Sequence, residues 1–118
     1  MPKYMVSSTY SPGSWARMMR MPDDRAQAAR ELSESVGGSL DALYWKVSAR
    51  CTVTLVDLPD SHAATALAAV LTHTGAYQKV EVEEILTQEQ FTAVLELAGS
   101  ISPVFRVPGQ ALLQGNSP

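Results

Sequence analysis

Two runs of β-forming residues, Leu40–Val47 and Cys51–Asp57, are separated by only Ser48-Ala49-Arg50. That gap is too short for a crossover, so the two runs pair as an antiparallel hairpin. Gly37-Gly38 precedes the hairpin and Leu58-Pro59-Asp60 follows it, so both ends are closed by breakers. Whatever lies on either side must be built around this central hairpin.

On the N-terminal side, Tyr4–Tyr10 reads as a strand that stops at Ser11-Pro12-Gly13. Trp15–Met21 follows as a short helical turn, with Trp15, Met18 and Met19 on one face. Pro22-Asp23-Asp24 then opens a clearer helix. Pro is tolerated in a first turn and acids complement the dipole there. Ala28, Ala29, Leu32 and Val36 form the inner stripe of that helix, and Gly37-Gly38 ends it.

The C-terminal side repeats the alternation. Asp60 or Ser61 caps a helix running to Thr74, with Ala63, Ala66, Leu67, Val70 and Leu71 as its core face. Tyr77–Ile85 reads as a fourth strand, setting Val80 and Val82 against Lys79, Glu81 and Glu83. Thr87-Gln88-Glu89-Gln90 is a capping box that opens a last helix to Ala98. The order is β-α-β-β-α-β, then a helix and an arm. It predicts an α+β, ferredoxin-like unit: a four-stranded antiparallel sheet with both main helices on one face. Residues 1–99 form this domain and 100–118 a C-terminal arm. Ile101, Val104, Phe105, Val107, Leu112 and Leu113 give the arm more apolar side chains than a solvated tail carries, so Ile101–Val107 is expected to dock on its own subunit or a partner.

Hydrophobic residues make up 46 % of the 118, enough for one core. Net charge is −3 with no basic stripe, which argues against nucleic acid as a partner. No run is long and apolar enough to span a bilayer, and Met1–Tyr10 lacks the pattern of a signal peptide. The single Cys51 excludes an intrachain disulfide. A cytoplasmic location without membrane association is the expectation. Both side-chain rows of the hairpin carry apolar residues, with Tyr44 and Val56 as well as Trp45 and Leu55, which predicts a homodimer covering the second sheet face.

Several stretches resemble the GYD-domain family, small bacterial proteins of the dimeric α+β-barrel superfamily. They are Pro2-Lys3-Tyr4-Met5-Val6 with Tyr10-Ser11-Pro12-Gly13, Gly37 through Tyr44, Val56 through Asp60, Thr74-Gly75-Ala76 and Leu86 through Glu89. Their order and spacing carry the likeness, from about Pro2 to Leu97. The family's Gly-x-Tyr-Asp stretch is replaced here by Ser48-Ala49-Arg50-Cys51. The resemblance implies the dimeric barrel but transfers no activity. Related barrels include cofactor-free monooxygenases, cyclases, isomerases and haem-binding enzymes, an analogy of fold alone.

Chemistry is sparsely signalled. His62 and His73 lie eleven residues apart on one helix, about 16 Å along its axis, too far to share a metal. No phosphate loop, nucleophile elbow or metal motif occurs, and no cofactor is expected. Cys51 beside Arg50 reads as a small packed residue rather than a nucleophile. The row Tyr44, Lys46, Thr52 and Thr54 is expected to face a cavity, with Tyr44 and Lys46 as catalytic candidates. Tyr10, Trp15, Arg50, Thr52 and Thr54 are the ligand-binding candidates. Two functions are open: a small-molecule binder or cofactor-free enzyme (proton transfer, cyclisation or oxygenation) for a hydrophobic or aromatic ligand, and a non-catalytic assembly protein using its sheet face and arm.

Overall fold

The computed structural model describes residues 1–109. Its elements are β1 (Lys3–Tyr10), α1 (Pro12–Arg20), α2 (Arg25–Ser35), β2 (Ser39–Trp45), β3 (Cys51–Asp57), α3 (Ser61–His73), β4 (Tyr77–Ile85) and α4 (Gln88–Ile101), with a 3₁₀ turn at Ser102–Val104. The strands form one sheet in the order β2-β3-β1-β4, and every neighbouring pair is antiparallel. No helix among the described residues is long and apolar enough to cross a membrane. The residues from Met1 to Ile85 form one compact unit, and the described residues from Leu86 onward form a second.

The helix ends follow local chemistry. Ser11 caps α1 by accepting from the Ser14 N–H, with Pro12 at the first helical position. Ser11-Pro12-Gly13 therefore starts a helix rather than a free turn, and α1 begins before the expected Trp15. Asp24 caps α2 through the Gln27 N–H at 3.0 Å, and Asp60 caps α3 through the Ala63 N–H at 2.9 Å. Gly37, at φ +82°, supplies the left-handed residue that closes α2. Gly38 has a different reason to be glycine: a Cβ there would lie 2.3 Å from the Asp57 carbonyl oxygen and 2.8 Å from the Leu58 Cδ2. The α2–β2 connection thus runs directly over the end of β3.

Helices α2 and α3 pack on the same face of the sheet. Tyr4, Val6, Val56, Leu58, Ala64 and Leu67 are the buried cluster, with Leu32, Val36 and Leu71 packed against it. The buried stripe of α3 centres on Ala64 and Leu67, and Val70, expected inside, is exposed. The register places Tyr4, Val6, Ser8 and Tyr10 of β1 on the helix side, opposite Val56, Thr54 and Thr52 of β3. Met5, Ser7, Val53 and Leu55 occupy the other face.

In β2 the register slips between Leu40 and Ala42, so Asp41 is an extra residue. Beyond this bulge Leu43 pairs with Thr54, Tyr44 with Val53 and Trp45 with Thr52. The bulge reverses the expected relation between the strands. Without it Tyr44 would stand beside Thr52; with it Trp45 takes that place and Tyr44 turns to the opposite face. Asp41 is held by the Lys3 ammonium at 2.8 Å, which also reaches Asp57 at 3.1 Å.

In the second unit, α4 carries the expected capping box: Thr87 Oγ1 accepts from the Gln90 N–H, and Gln90 Oε1 accepts from the Thr87 N–H. The helix runs to Ile101, beyond the expected Ala98, and the 3₁₀ turn occupies a stretch expected to be irregular. No residue of α4 is buried. Ile101, Val104, Phe105 and Val107 are exposed. Leu112 and Leu113 lie outside the described residues.

Candidate functional site

The helix-facing side of the sheet changes character along its length. Near the start of β1 it is mostly apolar, with Tyr4 opposite Val56 and Val6 between Val82 and Thr54. Near the end of β1 the corresponding positions are Ser8, Thr52, Tyr10 and Tyr77. Hydroxyls displace methyl groups where a core would gain more from aliphatic side chains. A cavity of about 80 Å³ opens over this polar half, between the sheet, α2 and α3. Ser8, Thr52 and Thr54 line its floor, Leu32, Leu67 and Leu71 its roof, and Tyr10, Arg25 and Tyr77 its end wall.

The end wall is organised by one guanidinium. Arg25 Nε donates to the Tyr10 phenol oxygen at 3.2 Å, and Nη2 donates to the Tyr77 phenol oxygen at 3.2 Å. Nη1 pairs with Asp23 at 2.9 Å. The guanidinium carbon lies 5.9 Å from the centroid of the Tyr10 ring. The planar fork of arginine is what lets one side chain address three acceptors. Burial of Tyr10, 4 % exposed, pushes its phenol pKa up, and the hydrogen bond from Arg25 opposes that shift. Burial works against the charge of Arg25, but its bonds to Tyr10 and Asp23 outweigh it, so the pKa rises and the group stays cationic.

Aromatic rings build out from this wall. Tyr10 stacks on Trp45 with centroids 5.5 Å apart and planes at 19°, and meets Tyr77 at 4.8 Å. Trp45 in turn contacts Trp15 at 6.0 Å. Trp15, Met18 and Met19 line a shallow apolar groove beside Trp45 and Arg25.

The structure brings together Tyr10, Thr52 and Thr54 of the expected ligand residues. Trp15 reaches the site through Trp45. Arg50 does not point into the cavity: its Nε donates to the Tyr10 carbonyl at 3.2 Å and its Nη2 to Gln78 at 2.9 Å, clamping β1 and β3 to the start of β4. Tyr44, 62 % exposed, stands on the opposite face from Thr52 and Thr54, and Lys46 is exposed just past the end of β2. The expected row of Tyr44, Lys46, Thr52 and Thr54 therefore does not exist as one surface, and the Asp41 bulge is the reason. Cys51 is buried, and His62 and His73 are exposed.

Arg25, Tyr77 and Ser8 complete the site without having been singled out in the sequence. Arg25 did carry a signal. A cation in the first turn of a helix opposes the macrodipole, and α2 places Arg25 directly after its capping Asp24. Such a residue is held for contacts made elsewhere.

A four-stranded antiparallel sheet with two helices on one face, and a polar-ended cavity between the layers, defines a ferredoxin-like α+β domain with an internal candidate site. The GYD domain family matches residues 4–95, and the chain belongs to that family. No curated protein matches the chain.

Proposed function

We propose that the chain binds a small hydrophobic or aromatic molecule in the cavity between its sheet and helices, as a binding protein or a cofactor-free enzyme. The observation that supports this reading most is the half-buried Arg25 guanidinium joined to two phenols on the wall of a hydroxyl-floored cavity. A phenol that accepts from a guanidinium still has its own O–H to donate. Tyr10 and Tyr77 together suit a ligand oxygen that carries or develops negative charge, such as an enolate or phenolate. That oxyanion is the species that proton transfer, cyclisation and cofactor-free oxygenation of such substrates have in common. The cavity is smaller than the roughly 300 Å³ at which drug-sized pockets begin, so the inserted portion is compact. Homodimerisation through the sheet face bearing Met5, Val53, Leu55 and Tyr44 belongs to the same proposal.

The test is native mass spectrometry of protein purified gently from its own host, followed by denaturation and analysis of released small molecules. A stoichiometric organic ligand, lost in an Arg25→Gln variant, supports the reading. Protein that is ligand-free and binds no aromatic probe in solution refutes it.

A second reading, a non-catalytic assembly protein, draws on a different observation. Phe91, Val94, Leu95, Leu97 and Ile101 of α4 are all exposed, more apolar surface than one solvated helix ordinarily presents. A Val94→Glu, Leu95→Glu variant with unchanged mass by light scattering would remove α4 from any assembly.

A further inference from the structure

The wall formed by Tyr10, Arg25 and Tyr77 has a second side. The same three residues also line an outer cleft of about 370 Å³, between α1, the start of α2 and the start of β4. Arg17 and Arg20 of α1 line that cleft with them, together with Ser14. Arg17 is oriented by its Nη2 donating to the Ser14 hydroxyl at 3.2 Å. Three of the nine basic side chains of a chain with net charge −3 thus meet in one cleft. Asp23 is its one acidic lining residue, and it is engaged by Arg25.

Arg17 and Arg20 also suit the C-terminal turn of α1, whose dipole favours cations. That preference requires charge near the helix end but does not require both guanidinia to line a concave surface shared with Arg25. Guanidinium forks in a cleft are the arrangement that recognises a planar oxyanion. On the other side of Arg25 lies the hydroxyl-floored cavity, which Tyr10 also lines, and Tyr10 carries the stack on Trp45. One compartment suits an anion and the other a compact apolar or aromatic body.

Resting on the internal-site reading above, we infer that the ligand is an amphipathic carboxylic acid. Its carboxylate lies against Arg17 and Arg20 in the outer cleft, and its apolar body lies toward Tyr10, Trp45 and the inner cavity. Arg25 stands between the two and contacts both. The carboxylate supplies steering and orientation, since opposite charge in a partly enclosed cleft raises encounter rates. The inner hydroxyls and phenols supply the discrimination.

The probes are benzoate, benzyl alcohol and inorganic sulfate, titrated into the full chain and followed by amide, Trp indole and Arg Nε–H resonances. The expected result is that benzoate binds about tenfold more tightly than benzyl alcohol at low salt. That advantage should vanish in an Arg17→Gln, Arg20→Gln variant and shrink as salt is raised. Both variant positions are exposed, so the fold is retained, and unchanged amide spectra away from the cleft verify it. Equal affinity for benzoate and benzyl alcohol, with both weakened by Thr52→Val, overturns the acid assignment while leaving the cavity reading intact. Sulfate binding as tightly as benzoate overturns the mixed ligand class. Benzoate binding that depends on Arg17 and Arg20 but ignores Thr52→Val and Tyr10→Phe overturns the cavity reading and the amphipathic assignment with it.

Discussion

Replacing Arg25 with Gln should remove the organising centre of the site and leave the helix-facing aliphatic core in place. The guanidinium makes two hydrogen bonds to phenols at 3.2 Å and one ion pair to Asp23 at 2.9 Å. Hydrogen bonds to charged groups are worth about 1.5–3 kcal/mol each. The two here are long and the Arg25 side chain is 28 % exposed, so a value near about 1 kcal/mol apiece is appropriate. Asp23 is half exposed, and its pair adds at most a few tenths of a kcal/mol. The sum is about 2 kcal/mol. For a domain of this size that lowers the Tm by about 8–16 °C. Differential scanning calorimetry of the parent, Arg25→Gln and Arg25→Lys measures it. Lys keeps the charge but cannot bridge two phenols and a carboxylate, so it should recover less than half of the loss. A Gln variant within about 2 °C of the parent, or a Lys variant equal to it, would refute the claim that the fork geometry holds this wall together.

Gly38→Ala should destabilise by about 3 kcal/mol or more, because its Cβ would fall 2.3 Å from a backbone oxygen that cannot move aside; urea unfolding reads this directly. Stability should fall on the alkaline side. The Tyr10 pKa is raised in the folded chain by burial, so its contribution is fully present below the unfolded value of 10.0 and is lost as pH rises through and beyond it. Lys3, raised by its bonds to Asp41 and Asp57, acts in the same direction above 10.5, and Tyr10→Phe should flatten part of the fall in a pH series of melting curves. Thr52→Val should change stability by less than about 1 kcal/mol, since an isosteric apolar group suits a core position, yet weaken an aromatic probe about tenfold by titration. Deleting Asp41 should leave the Tyr10–Trp45 stack and its near-ultraviolet circular dichroism in place, because Asp41 is the unpaired residue of the bulge and Ala42 through Trp45 keep their partners on β3, while Lys3 loses one of its two carboxylates.

The elements were legible because their signals are local. The span of β4, Tyr77–Ile85, and the capping of α3 and α4 follow from alternation and from side-chain oxygens at the right offsets. The site was only half legible, because a site depends on which residues share a face across strands. Alternation within β2 and within β3 was readable, and both readings hold on either side of the bulge. The phase between the two strands was not, since Asp41 leaves no mark on either alternating pattern. One extra residue put Leu43 at the cavity and Trp45 against Tyr10, and turned Tyr44 away, with Lys46 beyond it. Ser11-Pro12 misled for a related reason: the same pair suits a turn and a helix start, and the Ser14 N–H decides between them. Arg25 was hidden among the charged residues that open α2, where its sign at a helix start was the one clue.

The polarity gradient along the sheet explains how this chain carries a polar cavity without losing its fold. Every fully buried aliphatic of the core, Val56 and Leu58 above all, lies toward the Lys3 end of β1. There α2 and α3 close on the sheet, and Gly37-Gly38 brings α2 directly onto β3 and Leu58. The Tyr10 end receives hydroxyls, phenols and a guanidinium, each of which reduces the hydrophobic gain available there. A core designed only for stability would place Val at 52 and 54, as it does at 56. Separating the two ends lets residues at the Tyr10 end vary with the ligand while the Lys3 end maintains the fold. Substitutions of equal size should therefore differ in kind: at Leu58, buried and away from the cavity, they change stability, and at Thr52 or Ser8 they change binding.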